Sequence, residues 1–164
     1  MKNLFLIGGP MGVGKTRTSQ ILKLRLSDCV YLDGDRCWDA DPFIVTEETK
    51  EMVTDNICYL LNNFIKCSRY KNIVFTWVMH TDDIIDSILS RINKENIRVI
   101  NISLVAFPDI IISRLEKDIA LGKRKEDVIE RSLDRLKSFE NVNSIKIDTS
   151  DLTTSEVAEK IAKL

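Results

Sequence analysis

The sequence lacks a charge imbalance, a membrane-length apolar run, a histidine cluster and a paired-cysteine motif, and each absence removes a class of function. Lysine and arginine (24) against aspartate and glutamate (25) leave a formal net charge of −1, so no bulk field draws the chain to nucleic acid or anionic membrane. No apolar stretch approaches the ~18 residues of a membrane span; residues 4–7 and 99–107 are strand-length. One histidine, His80, and four cysteines, Cys29, Cys37, Cys58 and Cys67, contain no Cys-x-x-Cys pair, which argues against a zinc site or a dithiol redox motif. The thiols are expected to be reduced and mostly buried, with Cys37 partly exposed. No Pro/Gly/Ser-rich linker or repeat divides the 164 residues, so residues 1–164 read as one domain. Met1-Lys2 leads directly into a strand and a glycine-rich loop, unlike a signal peptide, and a cytoplasmic protein is expected.

What is present is an alternation of strand-like and helix-like segments. Compact or β-branched runs predict strands over 3–7, 29–32, 72–78, 98–106 and 144–147. Apolar residues at helical spacing predict helices over 15–26 (Ile21, Leu22, Leu24), 46–69 (Val53, Ile57, Leu60, Leu61, Phe64) and 82–92 behind Thr81. Further helices are predicted over 108–121, started by Pro108 and stopped by Gly122, over 126–139, and over 154–164 with Val157, Ile161 and Leu164 inward. Five parallel strands with crossover helices make a three-layer α/β/α sandwich; the pattern does not order the strands.

Between the first strand and first helix lies Gly9-Pro10-Met11-Gly12-Val13-Gly14-Lys15-Thr16, a Walker A loop. Its glycines let successive N–H groups point at phosphate oxygens, and the helix that follows adds its positive end. Lys15 is then a phosphate-binding and catalytic cation, Thr16 a Mg²⁺ ligand, and Thr18 a further nucleotide contact in the first helix. A GTPase reading fails because the nearest approach to a guanine signature, Asn93-Lys94-Glu95-Asn96, lacks the carboxylate and precedes strand four.

The second polar landmark is Asp33-Gly34-Asp35, at the carboxyl end of strand two, where ligands collect in open parallel sheets. Asp33 is assigned to the metal and Asp35 to the acceptor hydroxyl as general base; alternatively both are plain turn residues, with Asp35 capping a short helix. The loop together with Tyr31-Leu32-Asp33-Gly34-Asp35 resembles the P-loop kinases of small molecules and nucleotides, such as shikimate kinase, gluconate kinase and chloramphenicol phosphotransferase. The resemblance implies the nucleoside-monophosphate-kinase fold, with strand order 2-3-1-4-5 and a lid near residues 114–135. It departs from many members at the end of strand three, where residues 73–80 carry no Walker B acid, and the glycine pair that binds shikimate is not evident.

The same resemblance places Arg114 against adenine, Arg124 in the lid as a catalytic cation, and Asp148-Thr149-Ser150 along the base; the alternatives are solvated surface for the arginines and a cap region before the last helix for the Asp148 run. Arg131 is a second catalytic candidate, although an i, i+4 pair with Asp127 on a solvated face explains it as well; Arg135 is expected on the surface. Trp38, Phe43 and Trp77 are candidates for an acceptor wall, with Trp38 to Thr46 as a covering loop, and His80 either faces the acceptor or is structural. The expectation is an ATP- and Mg²⁺-dependent kinase, monomer or homodimer, acting on a hydroxyl of a small molecule, with no nucleic acid or membrane partner. Alternatives are a nucleoside or nucleotide kinase, or a non-catalytic ATP-binding regulatory or resistance module.

Overall fold

The computed structural model describes all 164 residues. Five strands, β1 (Lys2–Gly8), β2 (Cys29–Asp33), β3 (Asn72–Thr76), β4 (Ile97–Val105) and β5 (Ile145–Asp148), form one parallel sheet in the order β2-β3-β1-β4-β5. Six helices complete the chain: α1 (Lys15–Arg25), α2 (Glu47–Lys66), α3 (Asp82–Leu89), α4 (Pro108–Ala120), α5 (Val128–Ser138) and α6 (Thr154–Ala162).

Successive side chains of a strand point to opposite faces, and central β1 uses both. Leu4 and Leu6 join the core beneath α2 and α3, with Ile57, Leu61 and Ile88, whereas Phe5 and Ile7 join the core beneath α1, α4 and α6, with Leu22, Leu115 and Val157. This is the expected α/β/α sandwich, in the strand order the resemblance implied. No helix is long and apolar enough to cross a membrane.

The differences from expectation are local. Leu24 is 81% and Leu164 38% exposed, since the faces of α1 and α6 that meet the sheet are completed by Leu22, Val157, Ala158 and Ile161. Only Cys58 among the thiols is fully buried. Strand β3 ends at Thr76 rather than at residue 78, and α5 is trimmed to Val128–Ser138. The Walker A loop, the Asp33-Gly34-Asp35 turn and the end of β3 all lie at the carboxyl edge of the sheet, on three adjacent strands.

Candidate functional site

The Walker A loop is built around backbone that side chains would obstruct. Gly9 has φ 151°, and a Cβ there would lie 2.7 Å from the Leu104 carbonyl oxygen, so glycine is required. Val13 buries its side chain and anchors the loop. Helix α1 has no side-chain N-cap and no acidic residue in its first turn, so its first amides are open to an anion. Pro10 offers no N–H; its carbonyl and that of Gly9 accept the Lys15 ammonium at 2.9 and 2.7 Å. Burial lowers the Lys15 pKa to about 8, against an opposing pull from the Asp35 and Asp33 carboxylates. An open helix terminus, left-handed glycines and a desolvated lysine fit a triphosphate. Thr18 is buried in α1 and its hydroxyl has no partner.

Asp33 does more than end a strand. Its Oδ2 accepts from Thr16 Oγ1 at 3.3 Å and from Tyr31 Oη at 3.0 Å, and its Oδ1 accepts the Asp35 amide at 3.1 Å. Tyr31 Oη also pairs with Thr76 Oγ1 at 2.9 Å, and the Tyr31 pKa is raised to about 12, chiefly by burial. Thr76 stands where the Walker B acid would end β3, and its register partner on β2 is Asp33. The carboxylate is therefore one strand over, linked to the empty-handed position through a tyrosine. Thr16 and Asp33 offer the hard oxygen donors that Mg²⁺ prefers, and fit it alongside phosphate oxygens. No group of three or more His, Cys, Asp or Glu side chains could hold a metal without such help.

Asp35 itself is exposed, lines the cavity, and its carboxylate makes no hydrogen bond. Between the two aspartates Gly34 lies flat on an indole: a Cβ there would fall 2.6 Å from Trp77 Cγ. Gly34→Ala is therefore expected to push the Asp33-Asp35 turn off Trp77 and to lower the melting temperature by several degrees, about 1–3 kcal/mol of overpacking. A thermal melt matching the parent would refute this. Cys37, nearby, has its pKa raised by burial and by both aspartates, so it is a thiol rather than a thiolate at neutral pH.

The segment around α4 and α5 brings three arginines to the same cavity. Arg124 pairs with Asp118 at 3.4 Å, and Arg131 makes the i, i+4 pair with Asp127 at 3.0 Å; both nonetheless line the space beside Lys15. Arg135, expected on the surface, lines it too: burial lowers its pKa, as does Arg131, against the pull of Asp35. Buried Ser132 donates to the Met11 carbonyl at 2.7 Å, which fixes the rotation of α5 against the Walker A loop and turns Arg131 and Arg135 toward the cleft. Arg114 is not among the cavity residues; it donates to Thr149 Oγ1 at 3.1 Å and to the Thr149 carbonyl at 2.8 Å, beside the loop after β5.

The cavity measures about 860 Å³. Its lining includes Met11, Gly12, Gly14, Lys15 and Thr16 of the phosphate loop and first turn of α1, the aromatic side chains Trp38, Phe43 and Trp77, and His80. The Trp38 and Phe43 rings lie 4.3 Å apart at 33°. The His80 pKa is lowered, first by burial and then by Arg135, and its Nδ1 is buried without a partner. Tyr31, Thr76, Ser132, Arg135, Asp83 and Lys50 were not singled out as site residues by sequence. Only Arg135 carried a usable signal, lying one helical turn beyond Arg131.

A family model described as an AAA domain matches residues 6–137. No curated protein matches the sequence. Among solved structures, the tunicamycin resistance protein of Deinococcus radiodurans superposes with a TM-score of 0.68 at 22% identity, over 99% of this chain and 95% of that one. A gluconokinase from Sinorhizobium meliloti gives 0.72 at 12% identity over 98% and 90%, and shikimate kinase from Acinetobacter baumannii, in complex with shikimate, gives 0.62 at 21% over 99% and 92%. The shared feature at these identities is the P-loop kinase-like fold.

Proposed function

We propose that this chain, which belongs to the AAA domain family, is an ATP- and Mg²⁺-dependent kinase that phosphorylates a hydroxyl of a small molecule. The supporting observation is that one cavity brings Lys15, the Thr16–Asp33 pair, the unengaged Asp35 carboxylate and Arg124, Arg131 and Arg135 around a common space. Residues 1–164 act as one domain, with the segment near 114–135 as its lid.

The Walker A amides from Gly9 to Thr16 hold the phosphates, Lys15 leaves its two loop carbonyls for the β- and γ-phosphate oxygens, and Thr18 and Arg114 border the nucleoside end. Thr16 and Asp33 would hold Mg²⁺, which when bound supplies charge neutralisation between the phosphates. Asp35 accepts the acceptor's hydroxyl proton as that oxygen bonds to the γ-phosphorus and the bond from γ-phosphorus to the bridging oxygen breaks, leaving ADP with the electron pair. Arg124 and Arg131, with Arg135, balance the charge on the transferring group once the lid excludes water.

A second reading, a nucleotide-binding module without transfer, draws on the missing acid at the end of β3. Coupled ADP release from Mg·ATP with pooled sugars, sugar acids, nucleosides, nucleoside monophosphates and hydroxylated natural products separates the two. Acceptor-dependent release is the expected result. ATP binding with no pool above the acceptor-free rate would leave the module.

A further inference from the structure

The cavity divides its charges. The cations Lys15, Arg17, Arg124, Arg131 and Arg135 belong to the Walker A loop, the first turn of α1 and the α4–α5 side, and the charge of Arg135 reaches Asp35 and His80. The opposite half, formed by the turn after β2, the loop through Phe43, the start of α2, the end of β3 and α3, presents apolar side chains and carboxylates. Trp38, Phe43, Val53, Trp77, Met79 and Ile84 make its wall. Its charged groups are Asp33, Asp35 and Asp83 on one sign and Lys50 on the other, and the Lys50 ammonium is already 2.8 Å from the Glu47 carboxylate. His80, also in the lining, is disfavoured as a cation by its burial and by Arg135.

Resting on the kinase reading above, we infer that the acceptor is an uncharged amphipathic alcohol, a hydroxyl-bearing compound with a flat ring or alkyl portion, and not a carboxylate or phosphate ester. The apolar portion seats against Trp38, Phe43 and Trp77, where burying a ring removes apolar surface from water and gains edge or face contacts with the indoles. An anionic group in this half would lose its hydration and meet three carboxylates, Asp33, Asp35 and Asp83, against Lys50, already paired with Glu47, and Arg135, already drawn to Asp35. The hydroxyl would point back toward Asp35, whose charge acts on Lys15 and Arg135 across the cavity.

The chain contains two tryptophans, and both line this half, so intrinsic fluorescence reports its occupancy without any turnover. The full-length protein, with and without Mg·ADP, is titrated with two matched series: phenyl β-glucoside, phenyl β-glucuronide and glucose, then thymidine and its 5′-monophosphate. The neutral ring-bearing member of each series is expected to bind about tenfold or more tighter than its anionic counterpart, and phenyl β-glucoside tighter than glucose by a similar factor. Asp83→Lys, at an exposed position on α3, is expected to shrink the neutral-over-anion preference severalfold. Equal or tighter binding of the anions, or no binding of either neutral ring compound, overturns the inference. ADP release is measured in parallel. Neutral preference without ADP release retains the ligand class and removes the kinase, whereas ADP release with an anionic acceptor retains the kinase and removes the ligand class.

Discussion

Lys15→Ala is expected to abolish acceptor-dependent ADP release and to weaken ATP binding by about 10- to 100-fold, the cost of losing one charge-assisted hydrogen bond to the phosphates. The side chain sits partly buried at the head of α1, where a charge acts in a medium less polarisable than water. It also holds the Gly9 and Pro10 carbonyls, so its removal leaves two acceptors facing the loop that no other side chain reaches. A thermal melt run alongside separates loss of ligand contacts from loss of fold. ATP affinity within threefold of the parent would sink the phosphate assignment.

The same residue sets a pH signature. Its pKa in the free protein is about 8, and a triphosphate beside it would favour the ammonium and raise that value. Below pH 8 the cation is present in both states and the term is constant. Above it, binding must take up a proton, so ATP affinity is expected to fall by up to about tenfold per pH unit until the bound-state pKa is reached. Calorimetry at pH 9 in buffers of different ionisation enthalpy would register that uptake, and Lys15→Ala would not.

How far the site was legible depended on whether its parts are local in sequence. The Walker A loop is a contiguous run whose glycines, lysine and threonine each answer to a backbone or charge requirement, so its place between β1 and α1 could be read directly. Strand order could not: periodicity reports which faces are covered, while lateral neighbours depend on where crossovers dock, and the order 2-3-1-4-5 came from the resemblance alone. The Tyr31–Asp33–Thr76 chain needs the β2–β3 register, in which Asp33 and Thr76 are partners, and no linear pattern contains that. Arg135 was misplaced for a related reason. A helix whose buried face is completed by Ser132 rather than by an apolar residue presents a false solvated stripe, and the hydroxyl's bond to Met11 is what rotates Arg135 inward. Leu24 and Leu164 show the converse error, since an apolar residue need not be inside.

Asp35→Asn is expected to lower kcat by about 10²–10⁴-fold, the usual contribution of a positioned general base. ATP affinity should be unchanged or slightly tighter. The two aspartates of the turn differ in what holds them: Asp33 accepts hydrogen bonds from Thr16, Tyr31 and the Asp35 amide, whereas the Asp35 carboxylate is bonded to nothing and free to take a proton. Removing its charge withdraws an attraction that Lys15 feels in the free protein, which leaves more of the lysine's field for the nucleotide. Asparagine keeps the shape and a hydrogen-bonding oxygen, so acceptor binding should change little, and the loss should fall on kcat rather than KM. Asp33→Asn supplies the contrast: it should raise the Mg²⁺ concentration needed for half-maximal rate, which Asp35→Asn should not. An Asp35→Asn protein with parental kcat would remove the acceptor-base role.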